Sequence, residues 1–157
     1  DFPTCNSIWN NTSILQLESA DIAVAVALED GLITPIIEDT ETKSISEISA
    51  EVKSLVARAE KKQLLQHEYV GGAIAISNLG MMGVESFDAV INPPNSSILA
   101  IGCSSKEAVA NKDNGIELSK QISLTLSVDH RVIDGALGAN FLGSICSYIE
   151  DPYRLII

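Results

Sequence analysis

Hydrophobic and polar positions repeat with two different periods along this chain, and the changes of period mark its elements. From Asp21 onward Ile22, Val24, Val26 and Leu28 fall on one parity with alanines between them. Such a run predicts a strand buried on both faces or set against close neighbours. Asp30-Gly31 punctuates it, and residues 32–37 form a second β-branched run whose Pro35 confines it to a sheet edge or a bulge, so two short strands joined by a turn are expected. Over residues 44–65 the period lengthens: Ile45, Ile48, Val52, Leu55, Val56 and Ala59 recur at helical spacing with charges on the other side. Ser44 and Glu47 stand three apart, as a capping box requires, and Lys61 and Lys62 sit near the predicted helix end, where the dipole favours cations.

Gly71-Gly72 opens a further strand over residues 73–77, ended by Asn78-Leu79-Gly80. Asn92-Pro93-Pro94-Asn95 reads as a turn before a strand over residues 97–101, and residues 111–115 as a polar hairpin loop. Ile122, Leu124, Leu126 and Val128 alternate with Gln121, Ser123, Thr125 and Ser127, predicting a strand with one buried face that runs straight into Asp129-His130-Arg131. Beyond Asp134-Gly135, the residues Leu137, Phe141, Leu142, Ile145, Tyr148 and Ile149 predict a second amphipathic helix, stopped by Pro152. The first 19 residues are polar and turn-rich apart from Ile8, Trp9, Ile14 and Leu15, and read as loop or short edge strand.

Composition bounds what these elements build. With 157 residues, 46% hydrophobic and 20% charged, the chain has the balance of one globular domain. At this length a compact fold buries about 70% of the surface its unfolded chain exposes, so disulfide staples are not required. The longest apolar run, residues 22–28, falls far short of the roughly 18 residues of a membrane span, and none is expected. A net charge of −11 repels phosphate backbones and anionic membrane surfaces, which excludes nucleic acid as a partner class. Most of it, −8, lies in residues 1–60; this acidic part is either a solvated surface or a face for a basic partner. Cys5, Cys103 and Cys146 form no C-x-x-C pair and no metal-ligand rhythm, so no metal is expected and a reducing compartment fits.

Only two histidines are present. His67 falls in a polar segment and reads as an ordinary exposed side chain. His130 stands where a half-polar strand gives way to a helix, a rigid junction of the kind that holds catalytic groups. An imidazole titrates at about 6.5, so it accepts and returns a proton near neutrality. With Asp129, Arg131 and Asp134 around it, His130 is either a general base or part of a structural salt-bridge network. Ser77, at a predicted strand end, is the best hydroxyl. It could serve as a nucleophile with His130 as its base, as a hydrogen-bond donor to an oxyanion, or as a turn or capping residue. The G-x-S-x-G elbow, a phosphate loop, H-E-x-x-H and cysteine metal sites are all absent from the sequence.

Taken together, Asp129-His130-Arg131-Val132-Ile133-Asp134-Gly135-Ala136 resembles the signature of the 2-oxo acid dehydrogenase dihydrolipoyl acyltransferases. The same family pattern appears upstream in order, as Glu29-Asp30-Gly31-Leu32-Ile33-Thr34-Pro35-Ile36, Ile76-Ser77-Asn78-Leu79-Gly80-Met81 and Ile91-Asn92-Pro93-Pro94. The shorter H-x-x-x-D-G element is shared with chloramphenicol acetyltransferases and peptide-synthetase condensation domains. The resemblance implies an α/β fold, a mixed β-sheet flanked by helices, chloramphenicol acetyltransferase-like and trimer-forming. It also implies acetyl transfer between a dihydrolipoyl arm and coenzyme A, with acetyl-CoA and coenzyme A as substrates and no metal. His130 would then be the general base, Ser77 the oxyanion donor from a neighbouring subunit, and Asp134 a residue that orients the site.

Ser77-Asn78-Leu79-Gly80 and Asp134-Gly135-Ala136 are similar to the acetyl, pyruvate-handling branch; a succinyl or branched-chain acyltransferase, or a non-catalytic scaffold subunit, are the alternatives. The implied partners are further copies of the chain, in trimers and a larger core, and the decarboxylase and dihydrolipoamide dehydrogenase components of a pyruvate dehydrogenase complex. The implied compartment is the bacterial cytoplasm or the mitochondrial matrix. On the family pattern, residues 1–157 are the C-terminal part of the catalytic domain. The N-terminal part of that domain, and the upstream lipoyl and peripheral-subunit-binding domains with the lipoyl group, lie outside this sequence. The terminal Leu155-Ile156-Ile157 would either support self-association or pack into the chain's own core.

Overall fold

A computed structural model describes residues 1–29, 31–110 and 115–155. Asp30 of the expected Asp30-Gly31 turn, residues 111–114 of the expected hairpin loop, and residues 156–157 of the terminal triplet lie outside the described residues. Among the described residues the chain forms nine strands and two α-helices, and no helix is long and apolar enough to cross a membrane. The strands are β1 (Ser7–Asn10), β2 (Ser13–Gln16), β3 (Ile22–Val24), β4 (Val26–Leu28), β5 (Gly31–Ile33), β6 (Ile36–Ile37), β7 (Ile74–Asn78), β8 (Ser97–Ala110) and β9 (Ile116–Val128); the helices are α1 (Ile45–Glu60) and α2 (Gly135–Glu150).

The central sheet has the order β6-β3-β7-β8-β9 and is mixed: β7 lies parallel to β3 and β8, while β6 and β9 run antiparallel to their neighbours. The expected single strand over residues 22–28 is instead two. Val24 ends β3 beside Ile76, and after Ala25 the chain leaves the sheet to pair β4 with β5 as a separate hairpin. Alternation alone does not mark such a change of sheet, because both halves keep the same parity. Pro35 sits between β5 and β6, and β6 is the edge strand its missing N–H predicts. Of the first 19 residues, expected to be loop or short edge strand, residues 7–16 form the β1–β2 hairpin, two short strands paired only with each other.

Helix α1 starts where the sequence places it. Glu47 N–H donates to the Ser44 hydroxyl at 3.3 Å and Ser44 N–H donates back to the Glu47 carboxylate at 2.8 Å, closing both arms of the capping box. The Ser44 hydroxyl, which also donates to the Glu47 carboxylate at 2.7 Å, and then the Ser44 N–H hold that carboxyl below its ordinary range. Leu55 and Ala59 are the buried positions of its apolar stripe, and its last turn is tied by an ion pair between Arg58 and Glu68.

Small side chains set the thickness of the sheet. Ala23, Ile36, Ala75 and Ile98 form one buried cluster, against which Ala89 and Ile91 of the loop after β7 pack. Gly102 lets that loop approach: a Cβ there would stand 1.9 Å from the Glu85 carbonyl oxygen, inside any tolerable contact. A second cluster, Cys5, Val132 and Ile133 with Phe2, Trp9, Val128, Leu137 and Phe141, joins the N-terminal segment to α2 and to the chain leaving β9. Of the expected buried face of β9, Leu124, Leu126 and Val128 are half-buried and Ile122 is exposed; the part of β9 before it, with Ile116 and Leu118, is more exposed still.

Candidate active site

The residues after β9 form a tight turn with many anchors. Asp129 N–H donates to the Ser96 carbonyl at 2.7 Å, and the Asp129 carbonyl accepts from Val132 and Ile133 N–H at 2.8 and 2.9 Å. Val132 and Ile133, 7% and 0% exposed, plug the turn into the second core cluster. The Asp129 carboxylate accepts from Arg131 N–H at 3.0 Å and, in a fork, from the Arg131 guanidinium at 2.6 to 3.1 Å. The hydrogen bonds from Arg131 hold the Asp129 carboxyl below the usual carboxylate range, and the same pairing raises Arg131.

His130 is the residue this turn pushes outward. Its side chain is exposed and, among the described residues, takes no part in the Asp129–Arg131 pairing. Beneath the ring lies Gly135, where an added Cβ would come within 3.8 Å of His130 Cε1. The imidazole borders a cavity of about 400 Å³ with Trp9, Ile91, Pro93, Pro94, Asn95 and Val128. Asn95 fixes the turn on the far side: it is 5% exposed, and its side-chain amide donates to the Gly71 and Gly72 carbonyls at 3.1 and 2.9 Å. Trp9 and this turn were legible in the sequence as an apolar residue and a bend but not as parts of the cavity. The signal available was a lone tryptophan at alternating spacing to Ser7.

Asp134 is the N-cap of α2, its carboxylate accepting from Leu137 N–H at 2.8 Å. Replacing it by alanine is expected to cost about 1 kcal/mol of stability, whereas Asp134→Asn, an equally good cap, is expected to cost almost nothing. Chaotrope unfolding of the two variants measures this. Any loss of activity in Asp134→Asn then belongs to the carboxylate's charge and not to the helix.

Ser77 lies in β7, half-buried, with neither a cap nor a turn around it. It does not meet His130 within one chain. Ser77 pairs with Ala100, and Ala100 with Thr125; the chain reaches Val128 three residues later and then leaves the sheet towards His130. That separation is about 10 Å along the strands and about 10 Å across two strand spacings, before the turn carries His130 further away. The triad arrangement, serine bonded to histidine in one chain, is therefore not formed here.

The chain is thus a mixed-sheet domain that presents a histidine between its last strand and a capped helix. All of it, residues 1–157, matches the family described as 2-oxoacid dehydrogenases acyltransferase (catalytic domain), and the chain belongs to that family. It is 43% identical over its whole length to the dihydrolipoyllysine-residue acetyltransferase component of the pyruvate dehydrogenase complex of Rickettsia bellii, covering 37% of that protein. It is 46% identical over 160 residues to the mitochondrial counterpart of Neurospora crassa, with 99% of this chain and 35% of that protein covered. Among solved structures, the dihydrolipoamide acetyltransferase of Azotobacter vinelandii superposes with a TM-score of 0.93 at 29% identity, over 99% of this chain and 65% of that one. That structure concerns the role of a serine, a histidine and an asparagine in its catalytic mechanism, the last two being four positions apart as His130 and Asp134 are here. The chain thus spans a little over a third of the curated relatives it matches and about two thirds of the solved chain.

Proposed function

We propose that the chain transfers an acetyl group between a dihydrolipoyl arm and coenzyme A, at a site completed by a second copy of itself, within a pyruvate dehydrogenase complex. The observation that carries this is an exposed imidazole at the edge of a partly apolar cavity, while its charged neighbours Asp129 and Arg131 satisfy each other. His130 takes the proton of the coenzyme A thiol. The thiolate sulfur adds to the acetyl carbonyl of the lipoyl thioester, forming a carbon–sulfur bond and a tetrahedral oxyanion that accepts a hydrogen bond from the Ser77 hydroxyl of a neighbouring copy. Collapse breaks the bond to the lipoyl sulfur, which receives the proton from His130. Acetyl-CoA and the dihydrolipoyl arm leave. No metal and no covalent intermediate on the protein is required by this sequence of steps.

Distance supports a shared site, because Ser77 lies near the C-terminal end of β7 whereas His130 follows the end of β9 that lies level with the start of β7, two strands away. Self-association into trimers and a larger core, with the decarboxylase and dihydrolipoamide dehydrogenase components as partners, belongs to the same reading. So does the assignment of residues 1–157 to the C-terminal part of the catalytic domain, in bacterial cytoplasm or mitochondrial matrix. The test is transfer to dihydrolipoamide from acetyl-, succinyl- and isobutyryl-CoA by the intact protein. Acetyl is expected to have the highest kcat/KM; a preference for succinyl or isobutyryl moves the protein to another branch, and no transfer from any donor overturns the reading.

A further inference from the structure

We infer that Trp9 is a positioning residue for His130 and acts on it through Arg131. The inference rests on the reading of His130 as the base. The Arg131 guanidinium carbon stands 5.3 Å from the centroid of the Trp9 ring, within the range of a cation–π contact. Asp129 grips the same guanidinium edge-on with its two carboxylate oxygens. The two contacts act on one group at once: the carboxylate holds an edge of the guanidinium, and the indole ring lies against its central carbon. Arg131 follows His130 directly in the chain, so locking its side chain limits the rotation of the peptide that carries the imidazole. The same peptide is held at its N–H, which Arg131 donates to the Asp129 carboxylate at 3.0 Å, so the guanidinium contact adds a second, side-chain restraint beside the cavity.

Trp9 is itself well placed to hold a neighbour. It is paired with Ile14 in the β1–β2 hairpin, and it packs with Phe2 and Cys5 against the same cluster that holds Val132 and Ile133. The hairpin belongs to neither the central sheet nor the β4–β5 pair. Asn6 ties its two ends, donating from its side-chain amide to the Leu17 and Ser19 carbonyls at 3.1 and 2.7 Å. The N-terminal hairpin is thus a brace for the histidine turn, and its contact point is an aromatic face.

Steady-state kinetics of the intact protein carrying Trp9→Phe, Trp9→Leu, Arg131→Met or Trp9→Leu with Arg131→Met tests this. Trp9→Phe, which keeps a ring face, is expected to retain at least about half of kcat, and Trp9→Leu to lose about five- to tenfold with KM for coenzyme A nearly unchanged. The double variant is expected to be no worse than the poorer single, since both changes remove one interaction. Equal losses in the phenylalanine and leucine variants, multiplying losses, or an effect confined to KM each overturn the inference. A second measurement is independent of turnover. With only two histidines in the chain, the rate of His130 acylation by diethyl pyrocarbonate is read against exposed His67 by mass spectrometry. The ratio is expected to change severalfold in Trp9→Leu and not in Trp9→Phe, and an unchanged ratio in Trp9→Leu overturns the positioning role. If the unaltered protein transfers no acetyl group, the assignment of His130 as base fails, while this ratio still decides the Trp9 contact. Should Trp9→Leu not assemble, Arg131→Met, at an exposed guanidinium, carries both comparisons.

Discussion

His130→Ala lowers acetyl transfer by about 10²–10⁴-fold while leaving the fold intact, the size expected when a general base is removed. The intact fold follows from the anchors of the turn. Asp129, Val132 and Ile133 carry its backbone hydrogen bonds and its buried side chains, and the imidazole contributes to neither. Unfolding by chaotrope and the mass of the assembly, measured beside single-turnover rates, separate the two effects. Parental turnover by a correctly assembled His130→Ala protein would remove the base from the mechanism.

A mixed assembly of Ser77→Ala and His130→Ala chains is expected to be active although each variant alone is not. Ser77→Ala removes one oxyanion donor and costs about 10²–10³-fold. If each site takes His130 from one copy and Ser77 from the next around a closed ring, random mixing in equal amounts rebuilds about a quarter of the sites with both residues intact. The experiment is to unfold the two variants together, refold them, and compare the rate with the two refolded apart. Recovery near a quarter supports a site shared between copies. No recovery would mean that one chain supplies both residues, against the separation of Ser77 from the turn after β9.

Local chemistry was legible in the sequence wherever a short-range rule decided the outcome. The Ser44–Glu47 capping box, the apolar stripe of α1, the edge position forced by Pro35 and the stop at Pro152 rest on contacts within a few residues, and each is found. So is the placement of His130 at a junction between strand and helix. What escaped was set by contacts between distant segments. Parity continues unbroken through Ala25, yet the chain changes sheets there, because one neighbour of β3 is β7, some fifty residues away. Both strands of the β8–β9 pair run past the bounds expected at the end they share, where pairing extends to Ala110 and Ile116, while the other end, Ser97 opposite Val128, lies where expected. Likewise Arg131 and Trp9 are far apart in the chain, and charge pattern alone pairs the arginine only with Asp129. For Ser77 and His130 the sequence offers two suitable side chains and order along the chain, but the direction of each strand decides that they do not meet.

The outer edge of β9 has a further consequence for how this chain survives in concentrated solution. Thirteen residues of backbone lie along that rim with no neighbouring strand among the described residues, and Ile116, Leu118 and Ile122 are exposed on it. Such a rim adheres to any other extended backbone it meets. A net charge of −11 opposes those encounters at long range, so copies with bare edges behave as a charge-stabilised colloid. That protection thins as salt shortens the screening length or as acid neutralises the carboxylates, and clumping then accelerates without any change in the folded state.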